Sequence, residues 1–347
     1  MRILIASSHK GVNGAVVYAS RIIPMLRAAG HDVWLAAEND SWAARTNAGR
    51  APHFVTDFRR WPLDEVDRVG AFCRRERIDL IHSHLTRSGN FAALLRARHG
   101  VTSVSHLHAN HPQLHVGFHD LLIAVSESTR NHHRFLPMGW GAEIAHLPNF
   151  VNSVEYAPAA GDDVLRRALG VAAGTPVLLL VGQVCHRKGQ DVAARAIGLV
   201  RRRYPQAVLA LVGRGEMPKD APTDGVIALG RREDVAQLMP HASAILVPSR
   251  DDPFPLAALE ALACGVPVIA SAVGGLPEAL SGGGGLLVPA GDAAALAQAA
   301  LILLDDPVLR ARTGTEARRV ALERYSPESH VRGLEAAYVR GLEASFA

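Results

Sequence analysis

The sequence predicts two doubly wound α/β domains. Three observations predict it. Short apolar runs alternate with amphipathic segments through the first half, the same alternation restarts after a turn-rich joint, and 347 residues is long for one core but suits two. Strand and helix in regular turn imply parallel sheets covered on both faces.

In the first domain the strands read as residues 2–7 (RILIAS), 32–37 (DVWLAA), 79–84 (DLIHSH), 102–108 (TSVSHLH) and 120–126 (DLLIAVS). Between them AVVYASRIIPMLRAAG, PLDEVDRVGAFCRRERI and SGNFAALLRARHG carry apolar residues at helical spacing. The joint LPNFVNSVEYAPAAGDD (147–163) sets the boundary, giving domains over 1–153 and 154–326 and a last helix over 327–347. The second domain has strands at 176–182, 207–213, 225–230, 243–249, 266–271 and 284–290. The apolar run at 293–304 is closed by Asp292 and Asp305, falls short of the roughly 20 residues a membrane span needs, and reads as a buried helix.

Composition narrows the function. With 48% hydrophobic and 20% charged residues the chain is globular, and its first residues hold too short an apolar stretch for a signal peptide. Cys73, Cys185 and Cys264 lie far apart with no CxxC spacing, which fits a reducing cytoplasm. Residues 1–150 hold 17 Lys plus Arg against 12 Asp plus Glu, whereas residues 151–347 hold 20 against 21. That basic excess suits an acidic substrate or the anionic inner face of a membrane, and equally a plain solvated surface. A basic stripe interleaved with aromatics is lacking, so nucleic acid is not an expected partner.

Ligands of doubly wound sheets bind beyond the carboxyl ends of the strands, and with two sheets the expected site is the cleft between them. The first strand runs into HKGVNGA, where Gly11 and Gly14 let a phosphate or sugar approach the backbone. A dinucleotide reading through Glu38 lacks the GxGxxG fingerprint. His106 and His108 share one side of an extended chain, and His82, His84, His111 and His115 crowd the same stretch. Zinc and iron sites usually recruit carboxylates or thiolates, and residues 82–119 contain none, so no metal is expected here; one histidine serves as an acid/base or polar contact.

The second domain opens on VGQVCHRKGQD, where Lys188, one of only three lysines, precedes a helix start and faces a diphosphate together with free N–H groups. LVGRGE and the Gly274–Gly275 turn offer further close approaches. In SRDDPFPLAALEALACG, Pro253 and Pro255 forbid one continuous helix. A helix from Pro255 to Gly265 leaves Asp252 in the loop, Glu260 in the second turn, and the N–H groups of Leu256 to Ala258 between them for an anion.

This order and spacing of motifs resembles the family 4 retaining glycosyltransferases of the GT-B fold, over nearly the whole chain and most closely over 176–303. The resemblance implies two Rossmann-like domains facing across a cleft, with the acceptor on the first and a nucleotide sugar on the second. It implies that Glu260 accepts hydrogen bonds from the ribose hydroxyls and Asp252 from the donor sugar. Leu256 and Ala257 then give backbone N–H groups to the diphosphate, in a segment that includes Phe254 and Pro255. Lys188 is its cation, with Arg187 beside it, and Gly11 lies near the reacting phosphate. His108 contacts the sugar at the reaction centre, and Arg231 borders the nucleobase. The last segment resembles the helix that returns to the first domain.

Two positions depart from that pattern. Asp252 stands where the family has Glu, and Gln183 stands where it has an arginine on the diphosphate. Loss of that charge-assisted contact costs on the order of 1 to 2 kcal/mol unless Arg187 compensates. The expected activity is metal-independent, retaining transfer of a hexosyl group from a UDP- or GDP-linked sugar, without a cofactor. A cell-envelope glycan or lipid-linked acceptor is expected, with a small metabolite as runner-up, in the cytoplasm or peripheral to the inner membrane. The alternatives are a catalytically weakened sugar-nucleotide binding protein and a sugar-nucleotide epimerase on the same fold.

Overall fold

A computed structural model describes residues 1–58, 63–111, 113–134, 143–159, 161, 163–219 and 221–346. The chain divides into two units, Met1–Asn149 with Pro327–Ala347, and Phe150–Ser326. The division falls just ahead of the 153/154 boundary read from the joint, part of which lies outside the described residues.

In the first unit the elements are β1 (Arg2–Ser7), α1 (Gly14–Ala28), β2 (Asp32–Ala37), α2 (Trp42–Thr46), β3 (His53–Val55), α3 (Leu63–Glu76), β4 (Leu80–His84), α4 (Thr86–His99), β5 (Thr102–Leu107), β6 (Leu121–Ala124), α5 (Glu127–Arg134) and β7 (Glu143–His146). They form a parallel sheet in the order β3-β2-β1-β4-β5-β6-β7. Five of these strands stand where the apolar runs put them. The edge strands β3 and β7 and the one-turn helix α2 have no counterpart in the pattern. Alternate residues Leu4 and Ala6 face a core built with Val66, Phe72 and Leu95 of α3 and α4.

The second unit runs α6 (Val164–Leu169), β8 (Val177–Val181), α7 (Gln190–Val200), β9 (Val208–Val212), β10 (Val226–Gly230), α8 (Val235–Leu238), β11 (Ala244–Val247), α9 (Leu256–Ala263), β12 (Val268–Ser271), α10 (Leu276–Ala279), β13 (Gly285–Val288), α11 (Ala293–Asp305) and α12 (Pro307–Arg324). Its six strands lie within the predicted runs and form a parallel sheet, β10-β9-β8-β11-β12-β13. Leu178 and Leu180 meet Ile197, Leu296 and Leu303 in its core, and burial stabilises by about 1.5 to 3 kcal/mol for each such side chain. The run at 293–304 forms most of α11, capped by Asp292, whose side chain accepts the Ala295 N–H. The last helix, α13 (Pro327–Phe346), belongs to the first unit, where it packs on β5 and β6. Among the described residues no helix is long and apolar enough to cross a membrane.

Both strand orders reverse once, between β1 and β4 in the first unit and between β8 and β11 in the second. A doubly wound sheet opens a crevice at such a switch point, because the flanking connections leave to opposite faces. The glycine turn follows β1, the lysine loop follows β8, and the acidic segment follows β11.

Candidate active site

In the second unit two loops from neighbouring strands are fastened together. The loop after β8 carries Lys188, and the loop after β11 carries Asp252. Lys188 Nζ donates to Asp252 Oδ2 at 2.5 Å, and Ser249 Oγ donates to the same oxygen at 3.1 Å. Arg250 adds a bidentate pair to Asp191 at 2.8 and 2.7 Å, donates to the His186 carbonyl at 2.7 Å, and its own N–H donates to the Arg187 carbonyl at 2.8 Å. The Arg250 guanidinium, aided by Arg195, holds the Asp191 carboxyl down at about 2. This clamp spans dozens of residues of sequence and leaves no local signal; Ser249, Arg250 and Asp191 escaped the motif reading for that reason.

Two glycines allow the loops to close. A Cβ on Gly274, at φ +55°, would lie 1.8 Å from the Asp252 carbonyl oxygen, and one on Gly189, at φ +71°, would lie 2.0 Å from that of Pro248. The Gly275 N–H also donates to the Asp252 carbonyl at 3.0 Å. The glycine turn thus holds the acidic segment by its backbone.

Pro255 is the N-cap of α9 rather than its first helical residue, with φ −71° and ψ 128°. No side chain caps this end, so Leu256 and Ala257 start the helix with N–H groups that have no intrahelical acceptor, while Ala258 N–H turns back to the Pro255 carbonyl at 3.2 Å. Glu260 is buried on the same helix. Asp252 Oδ2 is already held by Lys188 and Ser249, and an ammonium has three donors, so Lys188 retains N–H groups for a ligand oxygen. A lysine and a bare helix start beside a buried pair of carboxylates suit a ligand with an anionic centre and hydroxyls on either side.

The remaining residues of the second unit are less uniform. Phe254 is buried with its ring 5.8 Å from that of Tyr325, so its side chain serves the core. Arg187 donates to the Asp251 carbonyl at 2.9 Å and lies 3.9 Å from Asp252 Oδ2, which ties it to the clamp. Gln183 is exposed, and its carbonyl accepts from Gln190 Nε2 at 2.9 Å. Arg231 is exposed just after β10, 3.7 Å from Glu233.

In the first unit Gly11 and Gly14 lie exposed after β1. The Gly11 N–H donates to His9 Nδ1 at 2.9 Å, and Asn13 caps α1 through the Val16 N–H. Beside them a pocket of about 480 Å³ is lined by Ser8, His9, Lys10, Glu38, Asp57 and Arg87. Glu38 lies 3.2 Å from Lys10 and 3.7 Å from Arg87. Lys10, Asp57 and Arg87 were not singled out from sequence, since they come from three separate places, the turn after β1, the segment after β3 and the first turn of α4.

His108 is partly accessible; it shares a hydrogen bond with His84 at 3.1 Å and stacks on His106 with centroids 4.5 Å apart. Desolvation holds its imidazole neutral, down at about 3. His82 and His84 on β4 pair in register with Val104 and His106 on β5, so period two places all four imidazoles on one sheet face. His115 lies apart from them, bonded to His119 and Gln113 at 2.9 Å each.

The family model described as Glycosyltransferase Family 4 matches residues 12–154, and the one described as Glycosyl transferases group 1 matches residues 175–306. A D-inositol 3-phosphate glycosyltransferase of Kineococcus radiotolerans is 33% identical over 70% of this chain and 67% of its own length. A GDP-mannose-dependent monoacylated alpha-(1-6)-phosphatidylinositol monomannoside mannosyltransferase of Corynebacterium glutamicum is 35% identical over half of each chain. Among solved structures, Anabaena HepE in complex with UDP-glucose superposes with TM-score 0.83 at 22% identity, covering 97% of this chain and 98% of that one. Sucrose-phosphate synthase from Thermosynechococcus elongatus gives TM-score 0.82 at 23% identity over 99% of both.

Proposed function

Because the chain belongs to glycosyltransferase family 4, with the two parallel-sheet domains of the GT-B fold, we propose that it moves a hexosyl group from a nucleotide-diphosphate sugar to an acceptor hydroxyl with retention of configuration. The observation that carries this reading is the clamp of Lys188 and Asp252 beside the uncapped start of α9. The diphosphate sits against the Leu256 and Ala257 N–H groups and Lys188, which take up the charge that develops as the leaving group departs. Glu260 accepts from the ribose hydroxyls, Asp252 from the sugar, and Arg231 borders the base. His108 of the first unit contacts the sugar. With the leaving group stabilised by protein cations and N–H groups, transfer needs neither a divalent ion nor a cofactor.

The acceptor binds the first unit, where Gly11 and Gly14 leave the backbone open beside a pocket of mixed charge. Two cations and two carboxylates suit a small hydroxylated headgroup that carries phosphate, the chemistry named for the inositol phosphate relatives. The same headgroup on a lipid or envelope glycan would bring the enzyme to the inner membrane face.

Turnover with UDP- and GDP-sugars in EDTA, with the product anomer read by NMR, tests the reading. Undiminished retaining transfer is expected. Full loss on chelation would overturn the metal-independent step, an inverted product the stereochemistry, and an epimerised donor without transfer the reaction class. Donor affinity offers a second check. Glu260→Ala should weaken nucleotide binding about tenfold or more, since a hydrogen bond to a charged group is worth about 1.5 to 3 kcal/mol, whereas His108→Ala should lower turnover and spare nucleotide affinity. Calorimetric titration giving the reverse order would reject these roles.

A further inference from the structure

We propose that His82, His84 and His106 form a binding site for a late first-row transition-metal ion, with Cu⁺ preferred over Zn²⁺, inside the first unit. Each side chain offers one ring nitrogen, and the three nitrogens lie within 4.8 Å of one another. Bonds of about 2.0 Å to one ion draw such nitrogens to about 3.3 Å, a closure that small turns of the rings supply. All three residues are buried, and Nε2 of both His84 and His106 has no hydrogen-bond partner among the described residues. Buried polar nitrogens are seldom left so. An ion would satisfy both at once.

The surrounding groups fit ligation. His82 Nδ1 lies 2.8 Å from Tyr338 Oη, and His84 Nδ1 lies 3.1 Å from His108 Nε2. The His84 ring held in this way leaves its opposite nitrogen for a metal, and His82 Nε2, which lies 3.3 Å from His106 Nδ1, exchanges that long contact for the ion. Neutral imidazoles alone can hold an ion, as the three-histidine zinc sites do.

Charge selects the ion. Among the described residues no carboxylate or thiolate joins the three histidines in the group, and the aromatic neighbours Tyr18 and Tyr338 bring only phenols, which are neutral at pH 7. The cost of burying an ion rises with the square of its charge, so a monovalent ion is taken far more readily than a divalent one. His108 gives the entry path: it is partly accessible, stacks on His106 and bonds to His84. Sequence composition argued against a metal because it counted acidic and thiol ligands, and three neutral imidazoles with uncharged neighbours need neither.

The test uses the full-length, tag-free chain, stripped with chelator and loaded anaerobically with Cu⁺ or, separately, Zn²⁺. After desalting, one copper per chain is expected, with X-ray absorption showing about three nitrogens near 2.0 Å and no sulfur. His84→Gln and His106→Gln should each cut retention at least tenfold. Since either variant could fail to fold, ¹⁵N imidazole spectra of the wild-type chain provide the second measurement, in which His82, His84 and His106 shift together on loading. Retention below a tenth of an equivalent, copper held equally by both variants, a sulfur ligand, shifts confined to exposed histidines, or tighter retention of Zn²⁺ would each overturn the proposal. Transfer activity in EDTA is a separate readout, so failure here leaves the donor-site reading standing.

Discussion

Gly274→Ala is expected to weaken donor binding about a hundredfold or more, equivalent to about 2.7 kcal/mol, and to lower the melting temperature of the second unit. The new Cβ would meet the Asp252 carbonyl oxygen at 1.8 Å, and both partners are backbone, so no side chain can swing aside. The φ of +55° adds strain of about 1 to 3 kcal/mol for a non-glycine residue. Relief requires the 249–255 loop to retreat. That movement breaks the Gly275 N–H bond to Asp252, opens the pair between Lys188 and Asp252, and shifts the start of α9. Every group proposed to hold the donor moves together. Gly14→Ala makes the stability control, because a Cβ there meets nothing within 4 Å and the residue already lies in α1. Its melting temperature should hold or rise slightly. Wild-type affinity and wild-type melting in Gly274→Ala would show that this turn does not hold the acidic segment.

The contrast between these glycines indicates what was legible in the chain. Four strands of the second unit, β8, β9, β11 and β12, are buried on both faces, so they read as continuous apolar runs, and the fold class follows from their alternation with helices. The spacing of Asp252 and Glu260 about two prolines was legible because proline acts locally. The short edge strand β3, with an exposed, intermediate, exposed pattern, carries no periodic signal at all. The clamp was hidden for another reason. Arg250 and Asp191, like Lys188 and Asp252, are joined only by the parallel pairing of β8 with β11. Sequence placed His106 and His108 on one side of a strand. It could not show that Tyr18 of α1 packs against both, or that Tyr338 of α13 bonds to the neighbouring His82, since the latter tyrosine lies in the last helix.

Acid should unfold the first unit well before the second. His82, His84, His106, His115, His119 and His330 are all buried in it. Desolvation is the leading cause that holds each neutral: His82 and His330 down at about 3, His115 at about 4, and His84, His106 and His119 well below the ordinary value. Neighbouring imidazoles reinforce this, and Arg96 does so for His119. For a base with a depressed folded pKa, the unfolded chain takes the proton first. Stability is therefore full above the unfolded value near 6.5 and is lost as pH falls below it, until the folded values near 3 to 4 are reached. Each group removes about 1.4 kcal/mol per pH unit in that window, and six together remove about 8. A domain with about 5 to 15 kcal/mol in hand then unfolds between roughly pH 4.5 and 6. Among the described residues no buried histidine of this kind lies in the second unit, whose Asp191 holds its charge down to about 2. The two transitions should separate. All four tryptophans of the sequence precede residue 150, and the described ones, Trp34 and Trp42, belong to the first unit, so fluorescence follows that unit while far-ultraviolet circular dichroism follows both. Fluorescence should change cooperatively in that range with much of the dichroism retained. A flat fluorescence profile from pH 7.5 to 4 would mean that these histidines are not held neutral by the fold.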